Sequence, residues 1–207
     1  MVDPDVLKTL KPESLAALTP RIRDGDILLC SGNDAFSRLI GWSTKSPWTH
    51  VALAYHSPSL GGIMVFEAVQ KIGVRTVPIA TFVRQSSTGK TPYPGKIVLA
   101  RHADFAKAHG EKESEMAKKF ADFAVAKFGQ PFSGLEVAKI GLRIALGRFE
   151  RQLPKTLGPK DEFICSEYVA RCFAAVGIKI QWDRLGFIAP ADFANDPKVK
   201  AIARFKT

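Results

Sequence analysis

Cys165, His50 and Glu67 are the residues of this chain whose types and spacing point to chemistry. Phe163-Ile164-Cys165-Ser166-Glu167-Tyr168 opens an apolar-periodic stretch that ends at Gly177, so the sequence predicts a helix over 164–176 with Cys165 in its first turn. The unpaired amides and the dipole at a helix start favour a thiolate over a thiol. Cysteines placed this way have pKa values of roughly 3.5–7.5, against ~8.5 for a free thiol. Such a nucleophile is normally activated by a histidine that a further polar group orients.

Both partners are predicted on one hairpin. Thr49–Tyr55 and Ile63–Val69 are strand-like runs separated by the turn cluster His56–Gly62. A turn centred on that cluster pairs 53 with 64 and 51 with 66, and it places His50 directly opposite Glu67. The two then share a sheet face with Ala52, Ala54, Ile63 and Val65. The small alanines leave room on that face for the Cys165 helix. Attack on a carbonyl would place the oxyanion against the Cys165 N–H; no second donor is evident.

The blander uses of these side chains define the alternatives. Glu67 could be an ordinary cross-strand partner, in which case Asp26 or Asp192 would orient the imidazole. Zinc bound by Cys165, His50 and Glu67 is a further alternative. None of the three pairs has the short spacing of a metal site, so no metal or other cofactor is expected. Cys172 lies two helical turns beyond Cys165, too far for a disulfide, and together with Cys30 is expected in the core. His56, His102 and His109 sit in loop or helix-start contexts and are expected to be solvated. Glu167 would act on the helix terminus through its charge.

The elements that must position these groups read as follows. Residues 1–20, interrupted by Pro4, Pro12 and Pro20, form an arm with one or two short helices. Gly25–Cys30 is a buried strand after a turn, 34–42 a short helix, and Gly73–Pro78 and Lys96–Ala100 two further strands. Lys112–Phe128 is a helix with Met116, Phe120, Phe123, Ala124 and Phe128 on one face and Gly129 at its end. Ser133–Phe149 is helical but apolar on two sides. Within 138–160, Lys139, Arg143, Arg148, Arg151, Lys155 and Lys160 stand against Glu150 alone. A last short element lies near Ala189–Asp192. The expected organisation is an arm (1–20) and one domain (21–207) carrying a basic, apolar helical insertion at about 133–160.

Composition narrows the class. The chain has 207 residues, 46 % of them hydrophobic and 24 % charged, with ordinary glycine and proline content, which excludes disordered, collagenous and coiled-coil chains. No apolar run is long enough for a membrane span. Three cysteines make no disulfide framework. The net charge of +10 permits contact with an anionic membrane or cell-wall surface. Basic residues do not alternate with aromatics, so no nucleic-acid partner is expected. The start Met1-Val2-Asp3-Pro4-Asp5 has no signal-peptide pattern, so the expected location is cytoplasmic, or the cell envelope if an export signal preceded this start.

Gly25-Asp26-Ile27-Leu28, Thr49-His50-Val51-Ala52-Leu53, Phe66-Glu67-Ala68-Val69, Cys165-Ser166-Glu167-Tyr168-Val169 and Pro190-Ala191-Asp192-Phe193 occur in this order. Together they resemble the circularly permuted branch of the NlpC-type papain-like cysteine peptidases, the YiiX-like proteins, over roughly residues 21–195. The resemblance implies an α+β papain-like core, with the nucleophile helix packed on one face of an antiparallel sheet and the His strand ahead of the Cys helix. It implies Cys165 as nucleophile, His50 as base and Glu67 as the orienting residue. Asp26, Trp48, Ser166 and Tyr168 are expected as neighbours of the cleft. The implied activity is bacterial thiol hydrolysis of amide bonds in peptidoglycan-type peptides. One alternative is acyl transfer or hydrolysis on lipids and esters, as in the lecithin:retinol acyltransferase branch, favoured by the apolar, basic segment 133–151 as a cleft border. Another is a binding domain without catalysis. The expected substrate is therefore a small peptide or an acyl compound.

Overall fold

The structure is a computed structural model that describes residues 1–33, 35–84, 95–107, 111–133, 164–181 and 188–207. The helix expected over 133–149 and the basic insertion fall almost wholly outside these residues, as does His109. Seven strands form one sheet: β1 (Pro12–Glu13), β2 (Ile27–Gly32), β3 (His50–Ser57), β4 (Gly62–Val69), β5 (Gly73–Pro78), β6 (Gly95–His102) and β7 (Val199–Phe205). Their spatial order is β1-β7-β6-β2-β3-β4-β5. Every neighbouring pair is antiparallel except β1 with β7. With helices on both faces, the fold class is α+β.

Period-two alternation divides the sheet between two cores. Ile27, Leu29, Val51, Leu53, Met64, Phe66, Val98 and Ala100 belong to one. Helices α6 (Glu111–Val125) and α7 (Cys165–Ala175) cover that face through Phe120, Ala124, Tyr168, Val169, Cys172 and Phe173. Leu28, Cys30, Ala52, Ala54, Ile63, Val65, Ile97 and Leu99 belong to the other core, under α4 (Ile79–Arg84) with Ile79, Phe82 and Val83. Phe173 is a hub of the first core, with Phe105 and Phe120 edge-on at 6.2 and 5.7 Å. Burial of each such side chain stabilises the fold by about 1.5–3 kcal/mol.

The amino-terminal arm is tied to the sheet. Its two short helices, α1 (Val6–Thr9) and α2 (Leu15–Leu18), flank β1, and Leu7 and Leu18 enter opposite cores. The Met1 ammonium donates to the Val199 carbonyl over 2.8 Å. Strand β7 has no counterpart among the elements expected from sequence. A bulge opposite Leu99/Ala100 makes it change faces, so Val199 faces the first core and Ala203 and Phe205 the second. That change breaks the alternation that identifies a strand. The remaining short helices are α3 (Ala35–Thr44), α5 (Ala103–Ala106) and α8 (Pro190–Asn195).

Of the histidines expected to be solvated, His102 departs from that expectation. His102 is 1 % exposed rather than solvated. It precedes α5, where its Nδ1 accepts from the Asp104 N–H at 3.2 Å, and its ring lies 5.8 Å from that of Phe173. Among the described residues its buried Nε2 has no hydrogen-bond partner. His56 remains half-exposed but is paired with Asp24 at 3.0 Å.

Candidate active site

The β3–β4 register differs from the expected one by two residues. Leu53 pairs with Phe66 and Tyr55 with Met64, because the turn is shorter and lies later than 56–62 suggests. His50 is therefore not directly opposite Glu67. A slip of two preserves the face, whereas a slip of one would have separated them. The two side chains meet along the diagonal, with His50 Nε2 2.9 Å from Glu67 Oε2.

The face is also different from the expected one. His50 lies on the α4 side, its ring 6.4 Å from that of Phe82, while the Cys165 helix packs on the opposite face. Ala52 and Ala54, expected to make room for that helix, instead belong to the second core. Cysteine and histidine still meet, because the β3–β4 ladder stops at Leu53–Phe66 although β3 runs on to His50 and β4 to Val69. The two strands part at this end. Cys165, on a helix packed against one face, and His50, on the other, act on each other there through charge and a hydrogen bond.

Helix α7 begins without a side-chain cap: Ile164 precedes it in extended conformation. The Ser166 N–H in its first turn and the Val51 N–H at the open strand end both donate to the Cys165 sulfur. Burial opposes ionisation of this thiol. The His50 charge, the His50 hydrogen bond and the two amides outweigh it and hold the thiol below its ordinary range. Burial likewise opposes a charged His50, but the Cys165 thiolate and then Glu67 prevail, and the imidazole is pushed up to about 10. The two shifts are reciprocal: a charged His50 favours the Cys165 thiolate, and the thiolate favours a charged His50.

Glu67 is 2 % exposed. Burial alone would raise its pKa; the His50 hydrogen bond and charge and the Arg75 guanidinium lower it instead. Arg75 pairs with Glu67 across β4–β5 and donates to Oε1 from Nε at 2.9 Å and Nη2 at 2.7 Å. Arg75 was absent from the residues singled out by sequence. The signal was available: a short turn at Val69–Gly73 joins two strand-like runs and places Arg75 opposite Glu67.

The remaining site expectations divide. Asp26 is fully buried but lies near the other end of β3 and pairs with Arg101 at 2.6 Å, so it is not a neighbour of His50. Asp192 accepts from the Ala189 N–H at 2.7 Å at the start of α8 and leaves the imidazole to Glu67. Ser166 adjoins the sulfur through its N–H, while its hydroxyl donates to the Ile188 carbonyl at 2.7 Å. Tyr168 is core: its hydroxyl donates to Ala124 O at 3.1 Å, and it also contacts Cys172. Trp48 is buried in the core that contains Cys165, its indole N–H without a partner among the described residues. Glu167 pairs with Arg171 at 2.6 Å. Cys30 and Cys172 are fully buried, and burial pushes the Cys172 thiol up. Among the described residues no cluster of three or more His, Cys, Asp or Glu could hold a metal ion, and no helix is long and apolar enough to cross a membrane.

No protein-family model matches the chain, and no curated protein does. Among solved structures it is similar to the crystal structure of the metalloprotein yiiX from Escherichia coli O157:H7, described as DUF1105. The TM-score is 0.60 at 17 % identity, covering 89 % of this chain and 98 % of that one. The chain has a YiiX-like fold.

Proposed function

We propose that this protein is a cysteine hydrolase of amide bonds, with Cys165 as nucleophile, His50 as base and acid, and Glu67 as the group that orients the imidazole. The observation that carries the reading is one imidazole shared between a thiol at a helix start and a buried carboxylate at 2.9 Å. A cysteine or histidine serving only as core would not need the partners these have.

In this reading the thiolate attacks the carbonyl carbon, and the oxyanion forms beside the first amides of α7. Imidazolium passes its proton to the departing nitrogen, and the amine leaves. The neutral imidazole then takes a proton from water, whose oxygen attacks the thioester, and the acid departs with the thiol restored. Permuted papain-like peptidases of the NlpC type use this order of His strand and Cys helix, and cell-wall-type peptides are the substrate class that the resemblance suggests. The basic surface suits acidic peptides of that kind. Acyl transfer from lipids would use the same thiol; the segment that suggested it lies outside the described residues.

The test is incubation with a panel of aminoacyl and peptidyl anilides, reading released amine and the mass of trapped enzyme. The reading expects amine release and an acyl adduct on Cys165 alone. An adduct formed only from lipid esters would transfer the same machinery to acyl exchange. No adduct from either class would leave a binding domain.

A further inference from the structure

We propose that Arg75 is a positioning residue of this site: it occupies one oxygen of Glu67, fixing the carboxylate as an anion whose other oxygen is presented to His50. The role deepens the proposed function and rests on that reading for its catalytic meaning.

The geometry is asymmetric. Both Arg75 nitrogens, Nε and Nη2, donate to Oε1, at 2.9 and 2.7 Å, and neither of these bonds uses Oε2. Oε2 accepts from His50 Nε2 at 2.9 Å. One carboxylate thus joins two strands, β5 and β3, across β4. A buried carboxyl beside a histidine alone has an alternative state: it can hold the proton itself, leaving both groups neutral. Guanidinium cannot lose its proton, so its charge removes that state. The proton then belongs to the imidazole, where a departing amine can receive it.

The fold fixes the register that brings the pair together. Gly73 turns the chain into β5 at φ 91°, and a Cβ there would clash with the Gln130 carbonyl oxygen. The Val74 N–H donates to that same carbonyl at 2.8 Å. Arg75 follows on the terminal strand with its side chain 23 % exposed, so replacing it opens no deep cavity. Among the described residues, the charges that act on Glu67 are His50 from β3 and Arg75 from β5, and those that act on His50 are Cys165 from α7 and Glu67 from β4. Helix α4 presents Phe82 to His50, and β2 places Cys30 beside it.

The experiment follows the His50 ring by NMR as pH is varied in full-length Cys165→Ala, which removes the thiolate, and in Cys165→Ala/Arg75→Met. The second protein should titrate His50 at least ~1 pH unit lower, the scale on which a neighbouring opposite charge moves a carboxylate. Arg75→Gln keeps a donor without the charge and should give the same shift, which preserves the test if Arg75→Met does not fold. An unchanged His50 midpoint in a folded variant overturns the proposal, even if thermal stability falls, because that would mark Arg75 as structural only. The underlying reading fails separately. If Cys165 of the otherwise unaltered protein alkylates no faster than Cys30 and Cys172, the hydrolase is lost, while the His50 titration still decides what Arg75 does.

Discussion

His50 and Glu67 meet on a diagonal of the β3–β4 hairpin, with Nε2 2.9 Å from Oε2. The carboxylate thus holds Nε2, and Cys165 acts on the same ring through its charge and a hydrogen bond.

Glu67→Gln should keep the hairpin and retain partial activity. The amide carbonyl can still accept from His50 Nε2, but it carries no charge to stabilise imidazolium. A loss of one to two pKa units of coupling corresponds to a roughly 10- to 100-fold slower reaction. Alkylation rates of Cys165 at neutral pH check this. A variant as fast as the unaltered protein would remove Glu67 from the account.

Cys165→Ala and His50→Ala should each abolish turnover without unfolding, and the double variant should be hardly worse than either. Groups that act on one proton and one bond lose their effect together. Additive losses in amide hydrolysis would mean two independent contributions.

Turnover should be bell-shaped in pH. It rises as Cys165 ionises, below the ordinary thiol range, because the depressed thiol is charged there. It falls as pH approaches about 10, where His50 gives up the proton that the leaving amine requires. Alkylation by iodoacetamide needs only the thiolate, so its rate should not show the alkaline fall. Identical alkaline limbs in the two profiles would contradict the assignment of His50 as acid.

Much of this site was legible in the sequence because each part has a local signal. The helix start at Cys165 is marked by periodicity, the hairpin by two β-rich runs and a turn, and the shared face of His50 and Glu67 by parity, which survived a register error of two. What parity alone did not fix was the face that received α7. Small residues at Ala52 and Ala54 suit any close neighbour, and α4 took that place. The parting of β3 and β4 beyond Leu53, which lets sulfur and imidazole meet from opposite faces, arises from the whole sheet and leaves no mark on either strand. Strand β7 was missed because a bulge moves its apolar residues between two cores.

His102 should make stability depend on acid. Burial lowers its pKa, the nearby Asp196 and Asp104 only partly offsetting this. A histidine with a folded pKa below its unfolded value is protonated first in the unfolded chain, so stability is lost as pH falls from about 6.5 toward the folded value. Protonation also removes the lone pair that accepts from Asp104 N–H. Urea midpoints at pH 7.5 and 5.5 should differ more for the unaltered protein than for His102→Asn, which can still cap α5. Equal differences would remove His102 as the cause.

Gly73→Ala should cost at least about 1–2 kcal/mol of stability, since an L side chain at φ 91° is strained and its Cβ meets the Gln130 carbonyl. Denaturant melts check it; a neutral effect would show that the turn into β5 can move, and with it the position of Arg75.

The most direct measurement is site-resolved iodoacetamide labelling of the folded protein at pH 6, with each cysteine followed by mass spectrometry. Cys165 is buried to 6 % exposure and Cys30 and Cys172 to 0 %, so access alone separates them little. A thiolate held by His50, Val51 N–H and Ser166 N–H predicts rapid labelling at Cys165, suppressed by His50→Ala, with Cys30 and Cys172 untouched. Labelling of Cys165 that is as slow as the other two, or unaffected by His50→Ala, would contradict the thiolate–imidazolium pair.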